Sequence, residues 1–287
     1  MLTILLQHTV FGIVSGSILL LATIGFSMVY TTKRFLCISH GELLTIGAYT
    51  AYAFHVLLGW NLLYSGIIAV AVTSLVGLAI ARGLYEPMEG HGPLVLLFTS
   101  VGVTFCLHGI LEFIAGPSIR SFRTRILPCI RVGGIPLITM NEIVIISIAM
   151  GSIVFLHVVL TRTRIGKAFR AMASNVDLAM ARGIDTARIS MFVWVYASAM
   201  AAVAGILLAL VTSVNPDLGW TQILIILAAA ILGGLGSIYG VMIGAIFLGV
   251  VMDVGVIFFP SGYRAAIAFA LMIIVLLVKP KGIFGGG

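Results

Sequence analysis

Apolar residues in this chain follow neither a strict helical stripe nor a strand alternation. They run on for about twenty residues at a time, and polar residues are confined to the breaks between runs. Nine stretches approach the length of a spanning helix: 5–30, 41–58, 62–81, 93–115, 141–160, 189–212, 220–236, 239–258 and 264–278. The expected fold is an all-α, polytopic transmembrane helical bundle of eight to ten spans, best counted as nine. Segments 41–58 and 220–236 are short and glycine-bearing, so each is a candidate for a broken or re-entrant helix. Such backbone survives at membrane depth only where protein or a water-filled cavity satisfies it. No Ser/Thr/Pro-rich linker divides the chain, so residues 1–287 read as a single transmembrane domain. The first span lacks a basic leader and exceeds a signal sequence in length, which marks it as retained.

The largest polar break is residues 162–188, which hold six of the sixteen basic residues and two of the nine acidic ones. Charge of this density stays in water or against anionic head groups, so the segment is expected on the cytoplasmic side as a handle for a soluble partner. With the C-terminal Lys279-Pro280-Lys281 on that side too, nine spans put the N-terminus outside. Eleven basic residues then face the cytoplasm, while Arg120, Arg123, Arg125, Arg131 and Arg264 face out. Residues 116–140, punctuated by Pro117, Pro128, Gly133, Gly134 and Pro136, read either as a folded outer loop that meets an external protein or an anionic group, or as a solvated connector.

Composition agrees with the pattern: 61% of residues are hydrophobic and 9% charged, where a soluble protein has roughly a quarter charged. The net charge of +7 lies in short clusters between apolar spans and not on one basic face, which argues against nucleic acid. Cys37, Cys106 and Cys129 lack metal-ligand spacing and read as apolar fillers.

Catalytic and nucleotide motifs are missing: there is no HExxH, no paired Cys-x-x-Cys, no Gly-x-Ser-x-Gly and no phosphate-binding loop ending in Gly-Lys-[Ser/Thr]. The run from Gly233 to Gly240 has Tyr239 where a dinucleotide fingerprint needs glycine, and follows an apolar helix instead of a strand. It reads as a hinge or gate between two spans, or as a tight helical hairpin. Ionisable residues at depth are functional candidates. Glu42 and Glu142 begin spans, where capping explains them; Glu112 nears the end of one; Asp253 is the deepest and has no deep Lys or Arg partner in the sequence.

Within the polar break, Phe169, Met172 and Val176 share one helical stripe, while Lys167, Arg170, Ser174 and Asp177 share the other. Ser174 or Asn175 caps a second short helix, and Asp177 suits its first turn. Gly183-Ile184 fits a left-handed stop, after which Asp185 or Thr186 caps the next span. The expectation is a compact helix-turn-helix suited to docking in a groove, with an amphipathic stretch lying on lipid as the alternative.

Taken together, these residues resemble the inner-membrane permeases of branched-chain amino-acid ABC importers. The resemblance covers nearly the whole chain. It rests on residues 15–30, on Ser39-His40-Gly41-Glu42-Leu43-Leu44-Thr45-Ile46-Gly47-Ala48-Tyr49, on residues 163–171 with Gly183-Ile184-Asp185-Thr186, on Leu232-Gly233-Gly234-Leu235-Gly236-Ser237 with Gly240 and Gly244, and on the closing Lys279-Pro280-Lys281-Gly282-Ile283-Phe284-Gly285. It implies a multi-pass inner-membrane subunit paired with a second permease, homologous or identical. Two ATPase subunits would bind below it and an extracytoplasmic solute-binding protein would deliver substrate.

On that resemblance, ATPase coupling falls on Gly166, Lys167, Arg170, Asn175, Asp177, Leu178, Ala179, Arg182, Gly183 and Ile184. The translocation pathway or gate falls on His40, Gly41, Glu42, Gly47, Gly233, Gly234, Gly236 and Ser237. The chain itself would hold no cofactor or metal, with ATP and Mg bound by the partner subunits. Cys37, Ile38 and Ser39 stand where asparagine, phenylalanine and alanine are common in the family, close to the implied pathway. The transported molecule therefore stays open among branched-chain amino acids and related small solutes such as amides, urea and organic acids. The competing classes are a stand-alone secondary transporter or channel, which calls for a deep charged pair, and a membrane-embedded enzyme. The enzyme requires His40, His108, His157, Glu112 and Asp253 to gather at one depth.

Overall fold

The computed structural model describes residues 2–122, 129–132 and 135–284. Arg123, Arg125 and Gly285 lie outside the described residues. Helix α1 (Leu2–Lys33) comes first, followed by α2 (His40–Tyr52), which ends in a π turn at Ala53–Leu57. Then come α3 (Leu62–Ile80), a π turn at Ala81–Tyr85, α4 (Glu86–Met88), a 3-10 turn at Glu89–His91 and α5 (Pro93–Ala115). Strands β1 (Cys129–Val132) and β2 (Ile135–Thr139) pair antiparallel as a small hairpin. The rest is helical: α6 (Met140–Arg162), α7 (Arg164–Ser174), α8 (Val176–Ala181), α9 (Thr186–Val211), α10 (Leu218–Gly233), α11 (Ile238–Gly255) and, after a 3-10 turn at Ser261–Tyr263, α12 (Arg264–Val278).

Among the described residues, seven helical segments are long and apolar enough to cross a membrane. The two remaining candidates from the sequence are α2 with its π extension and the 16-residue α10, the same two that read as broken or re-entrant. The molecule is thus a polytopic helical membrane bundle. Its one described sheet, the β1–β2 hairpin, lies in the 116–140 loop.

At the centre stand α1, α2, α9, α10 and α11, whose side chains are largely buried, with α3, α5, α6 and α12 around them. The outer helices turn large apolar side chains outward, among them Phe98, Phe113, Phe155 and Leu277, as lipid or a partner subunit requires. α1 packs lengthwise on α11, where Gly12 and Gly16 lie against Gly249 and its neighbours. Small residues four apart let two backbones approach where no water drives association. Several hydroxyls inside the bundle are satisfied locally: Ser17, Thr23 and Thr31 each donate to the carbonyl four residues back, at 2.5–2.7 Å.

One end of the bundle gathers the C-terminus of α1, the turn 86–91, the α7–α8 elbow, the start of α9 and the C-terminal residues 279–284. Lys33 pairs with Glu89, Arg34 reaches Ala173, and Arg82 reaches Met191. The opposite end holds the β hairpin and a bridge in which Arg120 and Val214 exchange backbone hydrogen bonds at 2.8 Å.

Candidate functional site

After α1 ends, the chain turns back into the bundle instead of crossing along its edge. Arg34 makes the turn at φ +56°, a left-handed conformation that few residues bearing a Cβ adopt. Residues 35–39 then run inward, with Ser100 on α5 taking the Ile38 N–H at 3.2 Å and the Ser39 hydroxyl bonding Tyr85 at 2.6 Å. α2 therefore begins beside the middle of α1: His40 Nε2 lies 2.9 Å from the Ala22 carbonyl. Ala22 stands eleven residues, about 16 Å, before the end of α1. This chain path makes α2 a half-helix that starts at depth.

The start of α2 meets the start of α10. A Cβ at Gly41 would stand 2.6 Å from the Gly219 carbonyl oxygen, and one at Gly219 would stand 2.0 Å from that of Gly41. Only glycine at both positions permits the approach, which the Thr45 hydroxyl fastens by accepting the Gly219 N–H at 2.9 Å. Gly47 packs in the same way on Ala202 of α9. His40 is wholly buried, with its ring against Phe26.

Glu42 does lie in the first turn of α2, where the helix dipole favours a carboxylate, but it makes no capping hydrogen bond. Its side chain is fully buried, neither carboxylate oxygen has a hydrogen-bond donor, and it faces Nδ1 of His108 at 3.5 Å. The other ring nitrogen, Nε2, faces Asp217 at 3.7 Å, Trp220 lies beside the ring, and Phe105 packs on Trp220. His108 lies on the inward stripe of α5 formed by Leu96, Ser100, Val103 and Thr104. That stripe was the sequence signal; Asp217 and Trp220, in and just after a short loop, gave none. Glu142, by contrast, forms a capping box: it accepts from the Thr139 N–H at 2.6 Å while Thr139 Oγ accepts from the Glu142 N–H at 3.4 Å.

The polar elbow is built as a capped pair. Thr163 caps α7 and Asn175 caps α8 through the Leu178 N–H at 3.0 Å. α8 ends at Gly183, φ +76°, whose N–H reaches Met180 while the Ile184 N–H reaches Ala179, which satisfies the last carbonyls. Asp185 caps α9. Phe169, Met172 and Ala179 face inward, and Gly166 packs on the carbonyls of Val159 and Leu160. Lys167, Asp177, Leu178, Met180 and Arg182 face out. Arg170 reaches back to the Leu160 carbonyl at 2.6 Å and so ties α7 to α6. A cavity of about 420 Å³ separates the elbow from the end of α1 and the 86–91 turn.

Gly233, Gly234, Gly236 and Ser237 form the α10–α11 turn on the elbow side. Gly234 and Gly236 have φ near +100°, Ser237 caps α11, and Gly233 packs on Gly240 and Val241. The Ile283 and Phe284 N–H groups bond the carbonyls of Leu232 and Gly233, so the turn is clasped by the chain's C-terminal residues. These are the contacts of a closely packed helical hairpin.

Asp253, expected as the deepest acid, lies near the end of α11 and has a basic partner there. Consecutive antiparallel helices bring it 2.5 Å from Arg264, the first residue of α12, with Ser15 completing the group. The pair sits at helix ends, not at mid-span. His157 bonds Tyr239, and Glu112 is exposed, so the histidines and acids do not gather at one depth. Among the described residues no cluster could hold a metal.

A bundle with half-helices meeting at depth and a capped polar elbow at one end is the architecture of a multi-pass membrane transport subunit. More particularly, the chain belongs to the family described as branched-chain amino acid transport system permease components, whose model matches residues 8–276. It is 32% identical over 298 aligned residues to the high-affinity branched-chain amino acid transport system permease protein LivH of Escherichia coli K12, covering 98% of this chain and 95% of that protein. To BraD of Pseudomonas aeruginosa, which carries the same description, it is 33% identical with the same coverage. It also resembles PsaBC from Streptococcus pneumoniae, solved with a Fab, at TM-score 0.53 and 12% identity over 97% of this chain and 92% of that one, which is a likeness of fold.

Proposed function

We propose that this chain is the permease subunit of an ATP-driven importer that carries branched-chain amino acids or a closely related small solute. A second permease, two ATPase subunits and an external binding protein complete the assembly. The names of the relatives support the substrate class, and family membership supports the importer. The elbow end faces the cytoplasm, where positive charge is retained; its basic residues Lys33, Arg34, Lys167, Arg182, Lys279 and Lys281 all lie there.

One observation carries the coupling: Arg34 Nη2 donates to the Ala173 carbonyl at 2.6 Å. The last turn of α7, just before α8, is thereby joined to the residue at which the chain turns inward toward α2 and Glu42. Outward-facing Asp177, Leu178, Met180 and Arg182 offer the ATPase a short helix with charged and apolar contacts. A push on α8 then travels through α7, Arg34 and residues 35–39 to the start of α2, a contiguous chain of contacts along which a change at one end biases the other.

In proteoliposomes containing the complete transporter and leucine-loaded binding protein, Asp177→Lys and Arg34→Gln are expected to lower leucine uptake per ATP hydrolysed about fivefold or more, the low end of ordinary coupling free energies. Wild-type ratios in both variants would refute the coupling path. Uptake by the permease alone, without ATPase, would refute the importer reading.

A further inference from the structure

Glu42 is the one fully buried acid of the described residues, and nothing satisfies it. A carboxylate inside a membrane protein is held against a large desolvation cost unless a cation or a set of donors offsets it. Here the nearest group is His108, at 3.5 Å beyond the 2.7–2.9 Å of a charge-assisted bond, and its Nδ1 is itself buried without a partner. On the far side of the ring Asp217 is again too distant to hold it, at 3.7 Å, and is largely exposed. The imidazole therefore stands between two carboxylates without being locked to either. Exposed Trp220 borders the His108 ring, and exposed Phe105 packs on Trp220 to extend the aromatic surface. Two acids, an unlocked ring and aromatic faces form a site complementary to a compact cation with donors in several directions.

We infer that Asp217, His108 and Glu42 form a station for a primary ammonium group on the solute's route through the bundle. An ammonium has three N–H donors and no acceptor, matching carboxylates that lack donors. It meets exposed Asp217 beside Trp220, where an aromatic face favours a cation. When the His108 ring swings aside, the group advances to Glu42 and replaces the weak imidazole contact with charge-assisted bonds. Amino-acid solutes carry this group at neutral pH, so the site rests on the importer reading for its biological substrate but not for its chemistry. Because Glu42 is the third residue of the half-helix joined through residues 35–39 to Arg34, elbow movement would also shift this carboxylate.

The test is binding to the purified full-length permease, which needs neither uptake nor ATPase. n-Butylammonium chloride is expected to change Trp220 emission saturably, whereas n-butanol and sodium chloride do not, and Trp220→Phe removes the change. Glu42→Gln should weaken the apparent affinity at least tenfold and Glu42→Asp much less. Asp217→Asn, at an exposed position that leaves the packing intact, should weaken it at least threefold. No saturable change, or affinity unaltered in Glu42→Gln and Asp217→Asn, would overturn the station. Were wild-type transporter to take up no branched-chain amino acid while the permease still bound butylammonium, the branched-chain amino acid reading alone would fall.

Discussion

Glu42 and Glu142 are both third residues of apolar helices, and each follows a hydroxyl residue by three positions. Thr139 and Glu142 form the reciprocal cap that this spacing allows. Ser39 and Glu42 do not, because the Ser39 hydroxyl is taken by Tyr85 and the helix start is packed against α10. The same local signal thus yields a cap at the bundle edge and an unsatisfied acid at its centre. Gly41 and Gly219 illustrate the other residue-level demand, two backbones too close for any side chain. Gly219→Ala is expected to cost about 1–3 kcal/mol from overpacking. Gly66→Ala, at a position whose Cβ would meet nothing within 4 Å, should cost nothing. Thermal unfolding of both variants in detergent checks the pair, and equal midpoints would contradict the packing.

At the level of elements, the elbow is the part most fully encoded locally. Thr163, Asn175, Gly183 and Asp185 each satisfy a specific terminal backbone group, so most of the ends in the elbow are set from within it, with Arg34 adding a partner for the Ala173 carbonyl from outside. Short helices lean heavily on such caps. Asn175→Ala removes the acceptor for the Leu178 N–H and is expected to cost about 1 kcal/mol of local stability. Tryptic cleavage at Arg182 in native permease should then accelerate about fivefold, the factor that free energy implies when opening precedes cutting. An unchanged rate would mean that tertiary contacts, not the cap, hold α8. The α10–α11 turn is the contrasting case, since its carbonyls are satisfied by Ile283 and Phe284 from the far end of the chain.

Across the whole molecule, the structure places the elbow, the 86–91 turn and residues 279–284 at one end, so their accessibility must change together. In a background without Cys37, Cys106 and Cys129, cysteines introduced by Ser174→Cys and Lys281→Cys should react with a membrane-impermeant maleimide only after intact cells are permeabilised. Asn61→Cys, in the loop opening α3 at the other end, should react before it. Labelling of Ser174→Cys in intact cells would invert the topology. The same arrangement explains why the polar core is central: α2 and α10 are both too short to span alone, and they meet where α1, α5 and α9 surround them.

Long apolar runs determined the helical membrane bundle, and glycine-bearing short runs marked α2 and α10, because the cost of placing unsatisfied backbone or charge in lipid is local and large. Caps at Asn175, Gly183 and Asp185 were legible for the same reason: each acts within a few residues of chain. Residues far apart in sequence gave no such sign of their meeting. Glu42, His108 and Asp217 come from three separate segments, Asp253 and Arg264 from two helices, and Arg34 and Ala173 from segments 139 residues apart. Each looks unremarkable in its own stretch. Their juxtaposition depends on how the helices cross and on where the chain turns inward after α1, and packing of the complete bundle sets both.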